Sequence, residues 1–201
     1  MTGVPDDPRE LIARCQAGDR AAFRELFRRH RQDVLRLVYR MLGPRSDVED
    51  VVQDVFLQVH RSLPDFRGDA KFSTWLHRVT VNVVLMARRA AKSRPVYAEE
   101  PSDDVTRASG PWPDEDAARH ERMRAFQRCL DQITEKKRTV FVLHELEGMA
   151  AAEIATVVEA PVLTVRTRLF YARKELADLM RGEPTLASFA AELESSGKET
   201  P

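Results

Sequence analysis

Residues 150–174, AAAEIATVVEAPVLTVRTRLFYARK, decide the fold of the second half of this chain. The stretch begins with a short apolar helical pattern and continues with one in which apolar residues alternate with Arg, Thr, Tyr and Lys. Pro161 disrupts a helix interior but suits a first turn. The sequence therefore predicts a break near residues 159–160 and a new helix from Pro161 or Val162. A short helix, a tight turn and a basic second helix form a helix-turn-helix, whose second helix can enter the DNA major groove.

The composition suits packed domains, because 43% of the 201 residues are hydrophobic, which argues against wholesale disorder. The formal net charge is zero, so only the placement of charge can indicate a partner. Cys15 and Cys129 lie far apart in apolar helical patterns without metal-ligand spacing, which predicts buried free thiols. No run is long or apolar enough for a signal peptide or a membrane span, which predicts a cytoplasmic protein with no membrane insertion.

Apolar residues recur at three- and four-residue steps through the first half, and they predict long helices with one buried stripe each. Residues 46–49, SDVE, form a capping box that opens one of these helices. The stripe expected in that helix is Val48, Val52, Val55, Phe56 and Val59. Ser73 or Thr74 is expected to cap the next helix. The core face expected there is Leu76, Val79, Val83, Met86 and Ala90.

The helix after the capping box carries an acidic face away from its apolar stripe. At about 100° per residue, one line along that face consists of Asp47, Asp50, Asp54 and Gln58. Leu57 projects roughly opposite the core, beside Gln53 and Asp50. An acidic face with one apolar residue in its middle suits a protein partner, whereas a solvated face with a stray Leu needs no partner. Both interpretations stay open on this helix alone.

Residues 66–72, FRGDAKF, have the pattern of a loop, and the helix after it combines an aromatic ring, basic side chains and an amide. The face that carries them consists of Trp75, Arg78, Asn82, Leu85 and Arg89. Such a face can hold a single nucleic-acid strand through stacking, base-edge and phosphate contacts. Residues 61–94 carry eight Lys or Arg against two Asp, a net charge of +6. The alternative is a Trp75 in the core and arginines that only solubilise the protein.

Residues 95–118 interrupt the periodicity with Pro, Gly and Ser and carry a net charge of −6, which predicts a flexible acidic linker. The expected class is all-α, with two small helical domains joined by this linker and the helix-turn-helix in the second. The expected segments are a first domain over 1–95, a linker over 96–115, a second domain over 116–182 and a polar tail over 183–201. Within the tail, a short amphipathic helix can form from Leu186, Phe189, Ala190 and Leu193.

The sequence offers no site for catalysis. It contains no Gly-rich phosphate loop and no nucleophile elbow, and its five histidines are scattered without metal-ligand spacing. We therefore expect no catalytic residue, no metal site, no cofactor and no enzymatic activity.

Three motifs, in this order, resemble a bacterial RNA polymerase sigma factor of the extracytoplasmic-function (ECF) type. Residues 47–56, DVEDVVQDVF, resemble that family's core-polymerase-binding helix. Residues 66–82, which contain FRGD, FSTWL and Asn82, resemble its promoter-melting segment. Residues 153–176, which contain EIA, TVRTRL and AR, resemble its C-terminal helix-turn-helix. The resemblance covers about residues 9–181.

The resemblance implies three contact sets on this chain and a partner. A core-polymerase contact is implied for Asp47, Asp50, Gln53, Asp54 and Leu57. Capture of the melted minus-ten strand, with one base flipped out, is implied for Arg67, Asp69, Lys71, Phe72, Ser73, Trp75, Arg78, Asn82, Arg88 and Arg89. Trp75 can instead brace the loop in this family. Reading of the minus-thirty-five duplex is implied for Thr164, Arg166, Thr167, Arg168, Tyr171, Arg173 and Lys174. The family also implies a dedicated anti-sigma factor.

The chain departs from the family pattern at Glu159 and Leu163, where Gly is frequent, and at Met86, where Asp is common. A second hypothesis is a free-standing helix-turn-helix regulator that binds duplex DNA alone as a dimer. The first half discriminates, because a regulator should carry a ligand pocket or receiver domain there. An acidic helix followed by a basic, aromatic helix suits polymerase and melted DNA instead. A third hypothesis, a catalytic or scaffold protein, has no site to support it.

Overall fold

The computed structural model describes residues 8–45, 47–93 and 114–195, and within these ranges the regular structure is entirely helical. Contacts divide the chain into two compact units. The first contains α1 (Pro8–Gln16), α2 (Arg20–Leu42), α3 (Val48–Ser62), a 3₁₀ turn (Leu63–Asp65) and α4 (Phe72–Ser93). The second contains α5 (Asp114–Gln132), α6 (Glu135–Phe141), a π-helical turn (Val142–Leu146), α7 (Ala151–Val157), α8 (Val162–Arg181) and α9 (Ala187–Ser195).

The all-α class is confirmed, and the second unit contains the expected helix-turn-helix. Most of the predicted linker lies outside the described residues. α5 begins at Asp114, two residues before the expected start of the second domain. Within the described ranges, no helix combines the length and the hydropathy needed to cross a bilayer.

The junction between α1 and α2 consists of a left-handed glycine followed by a capping aspartate. Gly18 adopts φ of 86°, a left-handed conformation that glycine reaches without strain. Asp19 then caps α2, because its Oδ1 accepts from the backbone N of Ala21 at 2.7 Å and of Ala22 at 3.1 Å. The Ala22 hydrogen bond, with the guanidinium of Arg14, lowers the pKa of the Asp19 carboxyl.

Helices α2, α3 and α4 pack together to form the core of the first unit. The apolar stripe predicted for α3 is buried throughout, and Val51 joins it. The predicted capping box is not the observed cap: Asp47 occupies the N-cap position, and Ser46 lies outside the described residues. Cys129 is a buried free thiol as expected, whereas Cys15 is only half-buried. Burial raises the pKa of both thiols.

The core face predicted for α4 is wrong over its second half. Val83 is half-buried, Ala90 is exposed and Met86 is 66% exposed. The core instead receives Thr80, Val81 and Val84 beside the correctly predicted Leu76 and Val79. Thr80 was not among the expected core residues; its hydroxyl donates to the carbonyl of Leu76 at 2.9 Å, which allows its burial.

The start of α4 also differs from the prediction. Neither Ser73 nor Thr74 is the cap, because the helix already begins at Phe72. The backbone N of Trp75 donates to the carbonyl of Lys71 at 3.1 Å, which places both hydroxyl residues inside the first turn.

The second unit contains a buried guanidinium that no sequence pattern had indicated. Arg138 of α6 is 4% exposed. It donates to the carbonyls of Leu130 at 2.6 Å and of Asp131 and Ile133 at 2.9 Å. Leu130 and Asp131 lie in the last turn of α5 and Ile133 directly follows it, where backbone acceptors lack partners within the helix. Arg138 thus closes the end of α5 from the neighbouring helix.

The predicted tail helix exists as α9 and packs against α8. Leu186 and Ala190 are buried, but Phe189 is exposed. Glu183, which follows α8, accepts from Arg128 of α5 at 3.1 Å. This part of the predicted polar tail therefore packs as part of the second unit.

Candidate partner and nucleic-acid interfaces

The acidic face of α3, formed by Asp47, Asp50, Gln53, Asp54 and Leu57, lies away from the core. Four of these side chains are exposed and Asp47 is half-buried. Leu57 is 55% exposed, which is high for an apolar side chain in the middle of a long helix. At the side of this face, Glu49 forms an ion pair with Arg31 of α2 at 2.8 Å. The face therefore combines an apolar centre with carboxylates, as the sequence predicted.

Three aromatic rings form the base of the loop over residues 66–71. The ring of Phe66 lies 5.7 Å from that of Phe72 and 5.2 Å from that of Trp75, and Phe72 and Trp75 lie 5.5 Å apart. His30 of α2 packs on Phe72 at 5.2 Å. Burial lowers the pKa of His30. Trp75 is therefore engaged in bracing the loop and is only partly available for stacking on a base.

The loop itself presents the predicted charged side chains to solvent. Arg67, Asp69 and Lys71 are exposed, and Ser73 is exposed at the start of α4. Gly68 adopts φ of 80°, a conformation that side-chain-bearing residues rarely reach. The loop is thus an exposed, charged turn standing on an aromatic base.

The solvent face of α4 continues from this loop. Asn82 and Arg89 are exposed and Arg78 is half-buried. Met86 is four residues after Asn82 and three before Arg89, so it shares their face. The predicted amide and cations are therefore brought together, with an exposed thioether among them that the sequence had assigned to the core.

Arg88 does not belong to that face. Its Nη1 donates to the carbonyl of Met41, at the end of α2, at 2.8 Å. A cation at a helix C-terminus satisfies a backbone acceptor and complements the helix dipole. Arg88, which was expected to contact the minus-ten strand, is therefore half-buried and links α4 to the end of α2.

The turn between α7 and α8 falls where the sequence placed it. The backbone N of Val158 donates to Ile154 and that of Ala160 donates to Ala155, before α8 begins at Val162. Glu159 adopts φ of 50°. Among the described non-glycine residues it alone is left-handed, at a position where the family resemblance had led us to expect Gly. Glu159 therefore adopts the left-handed conformation of the turn with some backbone strain.

Most of the residues predicted to contact the duplex lie on the solvent face of α8. Arg166, Thr167, Tyr171 and Lys174 are exposed, whereas Thr164 and Arg168 are half-buried. Two further side chains share this exposure, Leu163 at 75% and Phe170 at 58%. Phe170 was not predicted as a site residue, although it lies off the buried line of Val165, Leu169, Ala172 and Leu176.

Arg173, which was expected to contact the minus-thirty-five duplex, is the second site residue that the structure places away from solvent. It is 8% exposed, and its Nε donates to Oε1 of Glu145 at 2.7 Å. Glu145 lies in the π-helical turn and also contacts His144 Nδ1 at 3.2 Å. Two residues further along α8, Glu175 pairs with Lys137, whose Nζ lies 5.8 Å from the centre of the Tyr171 ring. Arg173 is therefore buried against the π-helical turn and holds α8 to it.

Comparison with known proteins assigns both units to domains of one protein class. The family described as Sigma-70 region 2 matches residues 26–94, and that described as Sigma-70, region 4 matches residues 123–176. The RNA polymerase sigma-H factor of Pseudomonas aeruginosa is 32% identical over 178 residues, which cover 85% of this chain and 92% of that protein. The ECF RNA polymerase sigma-E factor of Escherichia coli K12 is 37% identical over 176 residues, covering 83% and 90%.

The chain belongs to the ECF sigma factors. Solved structures agree with this fold. The structure of CnrH in complex with the cytosolic domain of CnrY matches with a TM-score of 0.65 and 28% identity, over 87% of this chain and 97% of that one. The sigma factor RpoE of Bartonella quintana, solved with the anti-sigma factor NepR, has the same fold, with a TM-score of 0.55 and 16% identity over 80% and 98%.

As a sigma factor, the protein directs promoter-specific transcription initiation. The free-standing regulator is thereby set aside, because the first unit is a sigma region 2 and not a ligand-binding or receiver domain. The relatives are named for their role in transcription and not for a catalysed reaction.

Proposed function

We propose that this sigma factor uses three separate surfaces in the same initiation event. The acidic face of α3 binds core polymerase, the loop over residues 66–71 with the solvent face of α4 captures the melted minus-ten strand, and the solvent face of α8 reads the minus-thirty-five duplex. The residues assigned are those expected from the sequence, without Arg88 and Arg173. The observation that carries the proposal is that these surfaces are exposed although each contains apolar or aromatic groups.

The acidic face supports core binding through its charge and its apolar centre. Interfaces gain most of their free energy from a few apolar or aromatic anchors surrounded by polar groups. Leu57 has that position among Asp50, Gln53 and Asp54. A basic partner surface with an apolar recess would cover both kinds of group.

The loop and α4 supply what a melted strand requires. Arg67, Lys71 and Arg89 can contact phosphates, and Asn82 can read a base edge. A flipped base costs a few kcal/mol of unstacking, which a pocket must recover. The aromatic base formed by Phe66, Phe72 and Trp75 gives the loop a fixed shape against which a base can be held.

The solvent face of α8 supplies cations and hydroxyls for the major groove. Arg166 can bridge the two acceptors of a guanine, and Thr167 and Lys174 can contact bases or phosphates. Phe170 adds an apolar contact suited to a thymine methyl. The fixed orientation of this helix comes from Arg173 and Glu175, which bind the π-helical turn and α6.

A regulatory partner is part of the proposal. CnrH, which shares 28% identity with this chain, is solved with the cytosolic domain of CnrY. We propose that this sigma factor is also held by an anti-sigma factor that covers the acidic face of α3, the solvent face of α8, or both. The protein would act in the cytoplasm, where polymerase and promoter DNA are found.

Core binding is tested by Leu57→Asp, with Met123→Asp of α5, a similarly exposed apolar residue, as the matched control. Loss of an interface anchor should weaken core binding by about thirtyfold or more, measured by titrating labelled sigma factor with core polymerase. Equal binding by both variants and the wild-type protein would contradict the assignment of the acidic face.

A further inference from the structure

The last residue of α1 reaches across to the entry of the loop. Gln16 Nε2 lies 3.0 Å from the carbonyl oxygen of Leu63 and 2.8 Å from that of Phe66. An amide NH₂ has two protons to donate, so this single group serves both carbonyls. Because both partners are acceptors, the amide can be oriented in only one way.

The two carbonyls belong to the first residue of the 3₁₀ turn that joins α3 to the loop and to the residue that follows this turn. Leu63 O also accepts from the backbone N of Phe66 at 3.1 Å, which closes the turn itself. Phe66 is in addition the ring that packs on both Phe72 and Trp75. Gln16 therefore binds Phe66, whose backbone closes the 3₁₀ turn and whose ring belongs to the aromatic base of the loop.

We propose that Gln16 is a positioning residue for minus-ten recognition, which fixes the entry of the loop from α1 so that Arg67 and Asp69 are presented in one conformation. This inference rests on the proposed function of the loop. It gives α1, which lies outside the segment matched to Sigma-70 region 2, a part in promoter recognition. Because the loop is already ordered in the free protein, binding of DNA does not require the free energy of ordering it, which favours capture of the correct base.

Two substitutions test the clamp. Gln16→Met keeps the length of the side chain and removes both donors, whereas Gln16→Glu places a carboxylate against two carbonyl oxygens. Gln32→Met is the matched control, because Gln32 is an exposed residue of α2 in the same unit. Each full-length variant is assembled with core polymerase and titrated with a labelled single-stranded oligonucleotide of a minus-ten sequence, taken from promoters mapped by transcript ends after overexpression.

The expected result is specific to that strand. Gln16→Met should bind the oligonucleotide about three- to tenfold more weakly than wild type, since two partly solvated hydrogen bonds are removed, and Gln16→Glu should be weaker still. The preference for the cognate base over the other three at the captured position should fall in the same order. Affinity for core polymerase and for a minus-thirty-five duplex should match that of Gln32→Met.

A second readout uses Trp75, which reports on the ring of Phe66. In a Trp112→Phe background, Trp75 is the remaining tryptophan, and Gln16→Met should make its emission more accessible to acrylamide. Unchanged base preference in Gln16→Met, with or without a change in quenching, would overturn the inference. If the wild-type holoenzyme itself fails to retain the oligonucleotide, the proposed function of the loop is what fails.

Discussion

Arg173 of α8 donates from Nε to Oε1 of Glu145 at 2.7 Å, across the contact between α8 and the π-helical turn. Single π-helical turns are uncommon and are often found at functional sites. Here the turn presents a carboxylate to an arginine that the sequence had assigned to DNA. The pair therefore fixes how α8 projects from the second unit, and its removal should affect DNA binding through the fold.

Replacing Arg173 with Met should destabilise the second unit by about 1–3 kcal/mol, because Glu145 is left as a largely buried charge without its cation. The double variant with Glu145→Gln should recover part of that loss. Denaturant unfolding of the single and double variants measures the coupling. A loss of duplex binding with unchanged stability would instead return Arg173 to the DNA contacts.

Replacing Arg166 and Arg168 with Ala should weaken minus-thirty-five binding by about 1–3 kcal/mol for each base that is no longer read. For each phosphate that is no longer neutralised, the salt dependence of binding should fall by about one unit. Transcription from a pre-opened template lacking the upstream element should be preserved. Arg181→Ala is the control, because Arg181 pairs with Asp178 near the end of the same helix. Equal loss of transcription on this pre-opened template and on the complete closed promoter would contradict the assignment of α8.

Replacing Glu159 with Gly should raise the melting temperature of the second unit. A left-handed conformation costs about 1–2 kcal/mol for a residue with a side chain, and glycine avoids most of that cost. Ala155→Gly in the adjoining α7 should have the opposite effect, since glycine within a helix costs about 1 kcal/mol. Thermal unfolding followed by circular dichroism compares them. A lower melting temperature for Glu159→Gly would show that its side chain outweighs the strain.

Lowering the pH from 7 to 5 should destabilise the first unit through His30. Burial lowers the pKa of this imidazole in the folded state, against a smaller opposing effect of Asp33. As the pH falls, the unfolded chain therefore binds the proton first, near pH 6.5. The stability that the neutral His30 contributes to the folded state is present above that pH and is lost as the pH falls below it. His30→Phe keeps a ring against Phe72 and should flatten the dependence. Parallel changes in unfolding free energy for both proteins across this range would contradict it.

The sequence predicted the helices and most of the solvent faces, because apolar spacing and helix stop signals act locally. The break near residues 159–160 and the acidic face of α3 both follow from such local rules. Arg88, Arg138 and Arg173 could not be placed in this way. Each arginine satisfies a group on another helix, and a basic residue next to a candidate interface carries no local sign of whether its charge faces solvent or packs inward.

The α4 helix shows the same limit for apolar residues. Val83 and Met86 fit a helical stripe, but the stripe one position away, through Thr80 and Val84, fits the packing against α2 and α3. The second stripe can be buried because the hydroxyl of Thr80 donates to the carbonyl of Leu76. That outcome placed Met86 on the solvent face beside Asn82.

Transcription by core polymerase reconstituted with the purified full-length protein, on a promoter mapped by transcript ends after overexpression, is the decisive measurement. We expect transcripts from that start site with the wild-type protein and with Arg88→Lys, which keeps a donor for Met41. We expect a large loss with Leu57→Asp on closed and pre-opened templates alike. Binding of the isolated protein to duplex promoter DNA with no redirection of polymerase would contradict its assignment as the promoter-specificity subunit.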